Sequence, residues 1–486
     1  MNKIMKIIFV FAMCLFLSGL LDAQSITWQR LYNNQNYNDN GVDVCDADSG
    51  NYFVVCYSTQ SGPFGVDIYI LKLKPDGDTI WTRMLGDHSG NQSYTCVASG
   101  DGGCVITGSS IIVSIFKLNR DGVIEWEKHY EDESVILFDI IKTSDKGYIA
   151  CGRIVTSIRD GYIIKIDSSG NLEWKRVFHS IFNKLFYSIL QLHDQYIVAG
   201  YVTDSSTAVE RGLVLKLNFK GEIVWQKTYL VNYFFTIFNK ICKLNTDYLV
   251  GGSSSDSTGS RSQTFFIKLD TSGNIYYKKN IQYYNNEYLK DMKITSNNRI
   301  IFASDVDTTT GRNARVYITD LTGSIIYQKI FNINDYTLLR SILAIPNGDK
   351  LLVGTSNTYT PTNRDVYVVR SDSTLFLKPI KVKENQTLPA DIKNELFQNC
   401  PNPFNPTSHL EFGISDLGFV SLKVYDILGK EVAVLVNEKL SPGIYKAAFN
   451  GSSFPSGVYF YRLVVNPSNP MESNGFTDIK RMVLIK

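Results

Sequence analysis

The sequence shows almost no excess charge of either sign and few residues suited to catalysis. Its 49 basic and 47 acidic residues leave a formal charge of +2, and no block of five or six like charges occurs. This balance argues against nucleic acid or an anionic membrane as the main partner. The 5 histidines occupy no repeating position, and no Gly-x-Ser-x-Gly motif is present. We predict no catalytic residue, no metal site and no cofactor.

Cysteine is also sparse, with 8 residues and no C-x-x-C pair, which argues against a zinc or redox site. Cys45 and Cys56, like Cys96 and Cys104, flank a predicted turn, so each pair is a candidate for cross-strand neighbours. The alternative is a set of small buried strand residues with an odd thiol left over.

Long apolar runs are absent except at the N-terminus. Lys3 and Lys6 precede the apolar run Ile7–Leu21, and the small residue Ala23 offers a cleavage site. About fifteen residues fall short of the roughly 20 that a membrane-spanning helix needs. We predict a signal peptide over residues 1–23, export through the periplasm, and no transmembrane span in the mature protein.

Aromatic residues are plentiful, and they reveal an internal repeat. All 5 tryptophans fall at one position of the repeat, and two tyrosines continue it. These blade-repeat aromatics are Trp28, Trp81, Trp126, Trp174, Trp225, Tyr277 and Tyr327. From Trp81 onward, the spacings are 45, 48, 51, 52 and 50 residues.

Each repeat contains two predicted hairpins. In one repeat, the strand Tyr196–Ala199 belongs to the first hairpin, and the strand Leu215–Leu217 leads to the turn glycine Gly221 and the aromatic Trp225. Alternating apolar residues predict half-buried strands, and glycine supplies the positive φ of a tight turn. Four short strands in each unit of about 49 residues are typical of a β-propeller blade.

The ends of the array predict how it closes. The seventh unit lacks the aromatic strand, and an unattached copy of that strand, Ile26–Tyr32, begins the mature chain. If this strand completes the last blade, no sheet edge is left exposed. The fold class predicted for residues 24–378 is therefore all-β, a seven-bladed β-propeller.

A basic residue follows each repeat aromatic by two positions. The seven residues are Arg30, Arg83, Lys128, Arg176, Lys227, Lys279 and Lys329. They are either a positive ring that binds polyanions, or edge-protecting side chains whose stems pack beside the aromatic. The near-zero net charge favours the second interpretation.

The repeats over residues 26 to about 375 resemble extracellular propeller repeats found in surface proteins of Bacteroidetes-like bacteria. The resemblance rests on hairpins such as Ile164–Ile166 followed by Gly170, Asn171 and Trp174. It implies the architecture and says little about the ligand.

The composition changes after Leu377. Nine of the 13 prolines lie between Pro379 and Pro470. Residues 379–396 are polar and are predicted to form a linker. Six predicted strands in residues 397–486 indicate a small Ig-like β-sandwich.

This C-terminal segment resembles the type A C-terminal sorting domain of the type IX secretion system. The residues that carry the resemblance are Asn402, Pro403, Phe404, Asn405, Pro406, Gly429, Gly457, Lys480 and Lys486, with the motifs around them. Cys400 stands where the family usually has tyrosine, and residues 466–478 form an insertion. The resemblance implies the type IX secretion machinery as partner, and a protein that is secreted or attached to the outer cell surface.

Two functions remain open for the propeller. It is either a binding or adhesion module for an extracellular glycan or protein, or a secreted glycan-active enzyme that uses the central channel. Paired carboxylates at the channel mouth would favour the enzyme, whereas a face rich in Asn, Ser and Tyr would favour binding. The side chains that line the channel decide between the two.

Overall fold

The computed structural model describes residues 27–34, 37–59, 65–85, 92–109, 113–130, 134–155, 159–231, 234–255, 258, 260–281, 286–308, 311–331, 336–357, 364–372, 375, 380–382, 393–415, 418–440, 443–451, 454–467 and 475–485. The signal peptide predicted for residues 1–23 lies outside these ranges. Within them the regular structure is β-strand, apart from one 3-10 turn at Asp48–Gly50. The described residues include no helix that is long and apolar enough to span a bilayer.

Twenty-eight strands form the repeat region. They are β1 (Trp28–Tyr32), β2 (Asn38–Asp46), β3 (Tyr52–Thr59), β4 (Val66–Leu73), β5 (Thr79–Leu85), β6 (Gln92–Ala98), β7 (Cys104–Ser109), β8 (Val113–Leu118), β9 (Ile124–His129), β10 (Val135–Lys142), β11 (Tyr148–Ile154), β12 (Gly161–Ile166), β13 (Leu172–Phe178), β14 (Lys184–Leu192), β15 (Gln195–Thr203), β16 (Glu210–Asn218), β17 (Ile223–Tyr229), β18 (Thr236–Leu244), β19 (Asp247–Ser255), β20 (Ser262–Leu269), β21 (Ile275–Ile281), β22 (Glu287–Ile294), β23 (Ile300–Asp307), β24 (Arg312–Thr319), β25 (Ile325–Phe331), β26 (Thr337–Ala344), β27 (Lys350–Asn357) and β28 (Arg364–Ser371).

These strands form consecutive four-stranded antiparallel units, a β-propeller-like arrangement. Six units are separate sheets, β2–β5, β6–β9, β10–β13, β14–β17, β18–β21 and β22–β25. The last unit has the strand order β26-β27-β28-β1. In it, Trp28 lies opposite Arg370 and Tyr32 opposite Val366. The prediction that the Trp28 strand pairs with the last repeat is confirmed.

The turn that follows the third strand of each unit needs a positive φ. Glycine supplies it in six units, at Gly77, Gly122, Gly170, Gly221, Gly273 and Gly323. The seventh unit has no glycine there, and Leu375 takes the conformation instead, with φ at 60°. The N–H of Leu375 donates a hydrogen bond to the carbonyl of Asp372. In the preceding unit, the N–H of Gly323 donates the equivalent hydrogen bond to the carbonyl of Asp320. The backbone turn is thus retained without its usual residue.

The hydrophobic core lies between neighbouring units. One cluster joins Val44 and Val54 of the first unit to Val353 and Val368 of the last. The first and last units therefore pack against each other just as chain neighbours do, and apolar burial is the main force that holds them together.

The cross-strand pairing considered for the cysteines is wrong. Cys45 lies opposite Phe53, and Cys56 lies opposite Gly41. Cys96 lies opposite Ile106, and Cys104 opposite Ala98. Both pairs are out of register, because the first hairpin is shorter and the second is longer than the cysteine spacing assumes. All four cysteine side chains are buried, which agrees with the alternative of small buried strand residues.

The remaining strands belong to the C-terminal segment. They are β29 (Ile380–Val382), β30 (Glu395–Leu396), β31 (Thr407–Ile414), β32 (Gly418–Tyr425), β33 (Glu431–Leu440), β34 (Gly443–Asn450), β35 (Gly457–Pro467) and β36 (Phe476–Leu484). One sheet has the order β33-β32-β35-β36, and β29-β34-β31-β30 continues the sheet of the last repeat unit. One core, including Phe412, Val424 and Tyr461, joins both sheets.

The range predicted as a linker, residues 379–396, contains two strands that the sequence did not indicate, β29 and β30. β29 runs parallel to β1 and antiparallel to β34. Backbone hydrogen bonding thus continues from the repeat region into the C-terminal segment.

Candidate functional site

The repeat aromatics lie on the fourth strand of each unit and pack near the turn that follows the third strand of the next unit; the five tryptophans cover a glycine there. A Cβ atom added to Gly77 would lie 2.9 Å from the ring of Trp28, and one added to Gly221 would lie 2.7 Å from Trp174. Trp174 also donates its indole N–H to the carbonyl of Phe219 at 2.9 Å. Trp81, Trp126 and Trp225 cover Gly122, Gly170 and Gly273 in the same way. Tyr277 donates its hydroxyl to the Leu321 carbonyl, and Tyr327 packs in the core that contains Leu375.

The basic residues of the repeat reach the same turns. Arg176 donates to the carbonyl of Lys220 at 3.1 Å, and its guanidinium lies 5.9 Å from the ring centroid of Trp174. Arg30 forms an ion pair of 2.7 Å with Asp78 of the first unit. Lys227 donates to the Asn274 side chain at 2.8 Å. These contacts between units favour the structural interpretation of the basic residues.

The first strand of every unit lies innermost and carries a β-bulge. The bulges lie between Gly41 and Asp43, Ser93 and Thr95, Leu137 and Asp139, Phe186 and Ser188, Phe238 and Lys240, Leu289 and Asp291, and Leu339 and Ser341. One residue of each bulge is left out of the pairing. These bulge residues are Val42, Tyr94, Phe138, Tyr187, Asn239, Lys290 and Arg340.

All seven bulge residues line one cavity of about 470 Å³, which we call the central cavity. Its size falls within the roughly 300–1,000 Å³ typical of small-molecule sites. The bulge requires a glycine on the second strand at Gly200, which lies opposite Phe186. A Cβ atom at Gly200 would overlap the carbonyl of Leu185. Sequence reasoning expected a central channel but did not identify these residues. Five of the seven second strands have a glycine opposite the bulge, and this glycine is a signal that could have found them.

Three carboxylates below the bulges hold neighbouring units together, and we call Asp43, Asp139 and Asp291 the carboxylate belt. Asp43 Oδ2 accepts from Thr95 Oγ1 and from the N–H of Cys96, both at 2.8 Å. Asp139 Oδ2 accepts from Ser188 Oγ at 2.8 Å and from the N–H of Ile189 at 3.0 Å. These acceptors are charged, so their hydrogen bonds are strong.

The third member of the belt behaves similarly. Asp291 Oδ2 accepts from the N–H of Ile342 at 2.8 Å. Lys240 Nζ lies 3.3 Å from Asp139 Oδ2 and 3.9 Å from Asp291 Oδ1. Burial lowers the pKa of Lys240, but Asp139, Asp291 and Asp43 outweigh it, so the pKa ends above its usual value. Lys240 is therefore protonated and neutralises part of the belt.

Three of the five aromatic side chains in the lining lie on successive first strands. We call Tyr94, Phe138 and Tyr187 the aromatic arc. The ring centroids of Phe138 and Tyr187 are 5.0 Å apart, and those of Tyr94 and Phe138 are 6.0 Å apart. Burial raises the pKa of Tyr187 to about 12. Its hydroxyl therefore stays protonated at neutral pH and is able to donate a hydrogen bond to a ligand.

Basic side chains occupy another part of the lining. We call Lys290, Arg340 and Arg364 the basic arc. Lys290 Nζ lies 3.2 Å and Arg340 Nη1 3.6 Å from the buried Asp305. The guanidinium of Arg364 lies 4.8 Å from the ring centroid of Tyr336, a favourable cation–π distance.

Within the described ranges, no group of three or more His, Cys, Asp or Glu side chains is placed to hold a metal ion. The repeat aromatics and the central cavity are separate features. Of the residues singled out in the sequence, none lines the cavity.

In the C-terminal segment, the two end motifs of the signature contact each other. Phe404 is buried; its N–H donates to the Val483 carbonyl, and its carbonyl accepts from the N–H of Ile485, both at 2.9 Å. Asn402 Oδ1 accepts from the N–H of Val483 at 2.9 Å. These bonds tie the proline-rich segment to β36, the strand that also carries Lys480.

The other signature residues lie at turns or on the surface. Gly429 has a φ of 79° and bonds the carbonyl of Asp426. Gly457 begins β35. Asn405 and Pro406 are exposed, as is Pro403. Lys486 lies outside the described residues.

Comparisons with known proteins give a family match for the C-terminal segment. No curated protein matches the chain. Among solved structures, a protein of unknown function from Bacteroides caccae is 13% identical, with a TM-score of 0.41 over 63% of this chain and 97% of the other. The Pan2 WD40 domain of Neurospora crassa is 11% identical, with a TM-score of 0.43 over 71% of this chain and 96% of the other.

A family model described as the secretion system C-terminal sorting domain matches residues 400–471. The match indicates secretion or a cell-surface location. As its signature residues predicted, the end of this chain carries the C-terminal sorting domain of the type IX secretion system, behind a β-rich body.

Proposed function

We propose that this protein is exported by the type IX machinery and presents a seven-bladed β-propeller as a non-catalytic binding module for an extracellular glycan. Export begins with the signal peptide over residues 1–23 and passes through the periplasm. The tail over residues 397–486 acts as an Ig-like sandwich for delivery. One observation carries the binding proposal: each unit directs one bulge residue into a shared cavity.

The strand order supports seven blades. Six complete units and a last unit completed by β1 each hold four antiparallel strands. The core shared by Val44 and Val353 supports closure of the ring between the first and last units. A closed ring brings all the first strands together around one channel.

The chemistry of the cavity favours binding over catalysis. The two carboxylates in its lining, Asp43 and Asp291, already accept hydrogen bonds from the next unit. A glycosidase needs one carboxyl group free to donate a proton and another free to attack or to activate water. The aromatic arc, in contrast, offers flat apolar surfaces beside hydrogen-bonding groups, which suits the ring faces and hydroxyls of a sugar.

Binding of the whole purified protein to a broad glycan array tests the proposal. We expect Tyr187→Ala and Tyr94→Ala each to weaken binding of the recognised glycans at least tenfold. Tyr276→Ala is the matched control, because Tyr276 is 63% exposed on an outer strand and does not line the cavity. It should bind as the unaltered protein does.

Unchanged binding by both cavity variants would refute the cavity as the binding site. Incubation with polysaccharides and chromogenic glycosides tests the enzyme alternative in parallel. Reproducible turnover that disappears in Asp291→Asn, while the melting temperature is retained, would replace the binding function with the enzyme.

A further inference from the structure

We infer that the ligand of the central cavity is an acidic saccharide, one whose sugar rings carry carboxylate or sulfate groups. This inference deepens the proposed binding function and rests on it. It follows from the arrangement of two kinds of side chain around the cavity and from the excess of basic side chains over carboxylates in the basic arc.

The aromatic and basic arcs come from different parts of the ring. Tyr94, Phe138 and Tyr187 belong to three successive first strands, β6, β10 and β14. Lys290 and Arg340 belong to β22 and β26. The first strands contact one another in chain order, and β26 contacts β2 in turn. The two arcs therefore face each other across the cavity.

The carboxylates of the cavity are largely engaged with the protein itself. Asp43 and Asp291 accept backbone N–H groups of neighbouring units, and Asp291 lies near Lys240. Lys240 is balanced by the belt and adds little free charge. The belt carboxylates are thus committed to contacts within the protein, and the basic arc supplies the lining side chains that remain for an anion.

The basic arc has more positive than negative charge. Lys290 and Arg340 share one carboxylate, that of Asp305. Among the described residues, Arg364 forms no ion pair and lies instead over the ring of Tyr336. Three cations thus face one buried carboxylate. The arc is suited to a ligand anion, because arginine binds carboxylate and sulfate groups in a two-pronged geometry.

An acidic sugar satisfies both arcs at once. Its ring packs against the aromatic arc, while its carboxylate or sulfate reaches Arg340 and Arg364. A neutral sugar would use only the aromatic arc and would leave the positive charge unpaired. Such a difference between related ligands is a source of specificity.

Titration calorimetry on the purified whole protein tests the inference with three probes. The probes are a trigalacturonate, its carboxyl-reduced neutral counterpart, and a sulfated oligosaccharide. We expect an acidic probe to bind at least tenfold more tightly than the neutral one, and its affinity to fall as salt rises. Preference for the trigalacturonate or for the sulfated probe identifies which anionic group is recognised.

Arg340→Gln and Arg364→Gln should each weaken acidic-probe binding at least tenfold and change neutral-probe binding less than twofold. Arg120→Gln is the control, because it removes one exposed arginine from a turn outside the cavity. Equal binding of acidic and neutral probes, unaffected by the arginine variants but lost in Tyr187→Ala, would overturn the acidic ligand and leave the binding function intact. If Tyr187→Ala also binds normally, both proposals fail.

Discussion

Trp28 donates its indole N–H to the carbonyl of Pro75 at 2.8 Å, although 47 positions separate the two residues. Trp28 belongs to the last repeat unit by its pairing with β28, and Pro75 lies in a turn of the first unit. The same strand therefore completes one unit and contacts the next. β1 therefore links the last repeat unit to the first.

Trp28→Ala should lower the free energy of unfolding by about 3 kcal/mol, as for other buried aromatic residues. Trp28 is only 6% exposed, and its ring covers Gly77. Thermal and urea denaturation of the whole protein measure the change. Trp28→Phe is the matched variant, because it retains part of the packing but loses the hydrogen bond. Its free energy of unfolding should lie between those of the unaltered protein and Trp28→Ala.

Deletion of residues 24–34 should destabilise the protein further, because it removes β1 entirely. An unchanged melting temperature after this deletion would show that β1 does not close the array.

Gly77→Ala should lower the free energy of unfolding more than Gly348→Ala, although the two glycines have similar backbone conformations. Gly77 and Gly348 have φ values of 85° and 91°. A Cβ atom at Gly77 would meet Trp28 at 2.9 Å, whereas one at Gly348 would meet nothing within 4 Å. We expect Gly348→Ala to cost about 1 kcal/mol from backbone strain alone. Gly77→Ala should cost about 2–3 kcal/mol, since overpacking adds to that strain.

Urea denaturation of the two glycine variants at one pH gives the comparison. Equal costs would mean that the aromatic cover contributes nothing to the stability of the turn.

The interface between the last and first units contains a buried acid that makes stability depend on pH. Asp39 is fully buried, and its Oδ2 accepts from the N–H of Asn34 at 2.6 Å. Burial raises the pKa of Asp39 from 3.8 to about 7; Asp365 raises it too, while hydrogen bonds with Ser58 and Asn34 lower it. The folded state therefore holds a proton that the unfolded state loses near pH 4.

The contribution of Asp39 to stability is complete below about pH 4 and is lost as the pH rises through about 7. Asp39→Asn should remove this pH dependence. Between pH 4 and pH 8, the free energy of unfolding of the variant should rise by up to about 4 kcal/mol relative to that of the unaltered protein. Urea denaturation at several pH values measures it. Asp320→Asn is the control: hydrogen bonds from Thr322 and Ser324 lower the pKa of Asp320, so its stabilisation is lost on acidification instead. Parallel pH curves for Asp39→Asn and the unaltered protein would contradict the prediction.

The repeat architecture was readable from the sequence because its structural residues recur. Each aromatic meets the same kind of turn, so one chemical type is required at every copy, as at Trp81 and Trp174. The bulge residues of the cavity face a common space without equivalent partners. Val42, Tyr94 and Lys290 occupy the same position in their units and share no chemistry, so no residue type recurs at the bulge itself.

The belt was equally invisible in the sequence, because its bonds join distant residues. Asp43 and Thr95 are 52 positions apart, and their contact depends on two first strands being neighbours. The strand β29 was missed for another reason. It has only three residues, Ile380–Val382, and its pairing partners β1 and β34 lie in separate parts of the chain. Short strands of this kind are specified by their partners and not by local propensity.

The last prediction concerns delivery by the C-terminal segment. The bonds of Phe404 and Asn402 to Val483 hold the two ends of the signature together in one folded unit, and residues 400–471 match the sorting-domain family. We expect a chain without residues 397–486 to remain folded in the periplasm of a host that has the type IX system. Conversely, these residues fused to an unrelated exported protein should carry it to the surface or the medium.

Cell fractionation with protease shaving measures both arms of this experiment. The control for the deletion is a host that lacks the type IX machinery, in which the unaltered protein should also remain in the periplasm. Because β29 pairs with both β1 and β34, the truncated chain must also be shown to melt cooperatively, so that misfolding is not mistaken for failed sorting. Normal surface delivery of a folded, truncated chain would contradict the sorting role, and the segment would then be an accessory domain of the propeller.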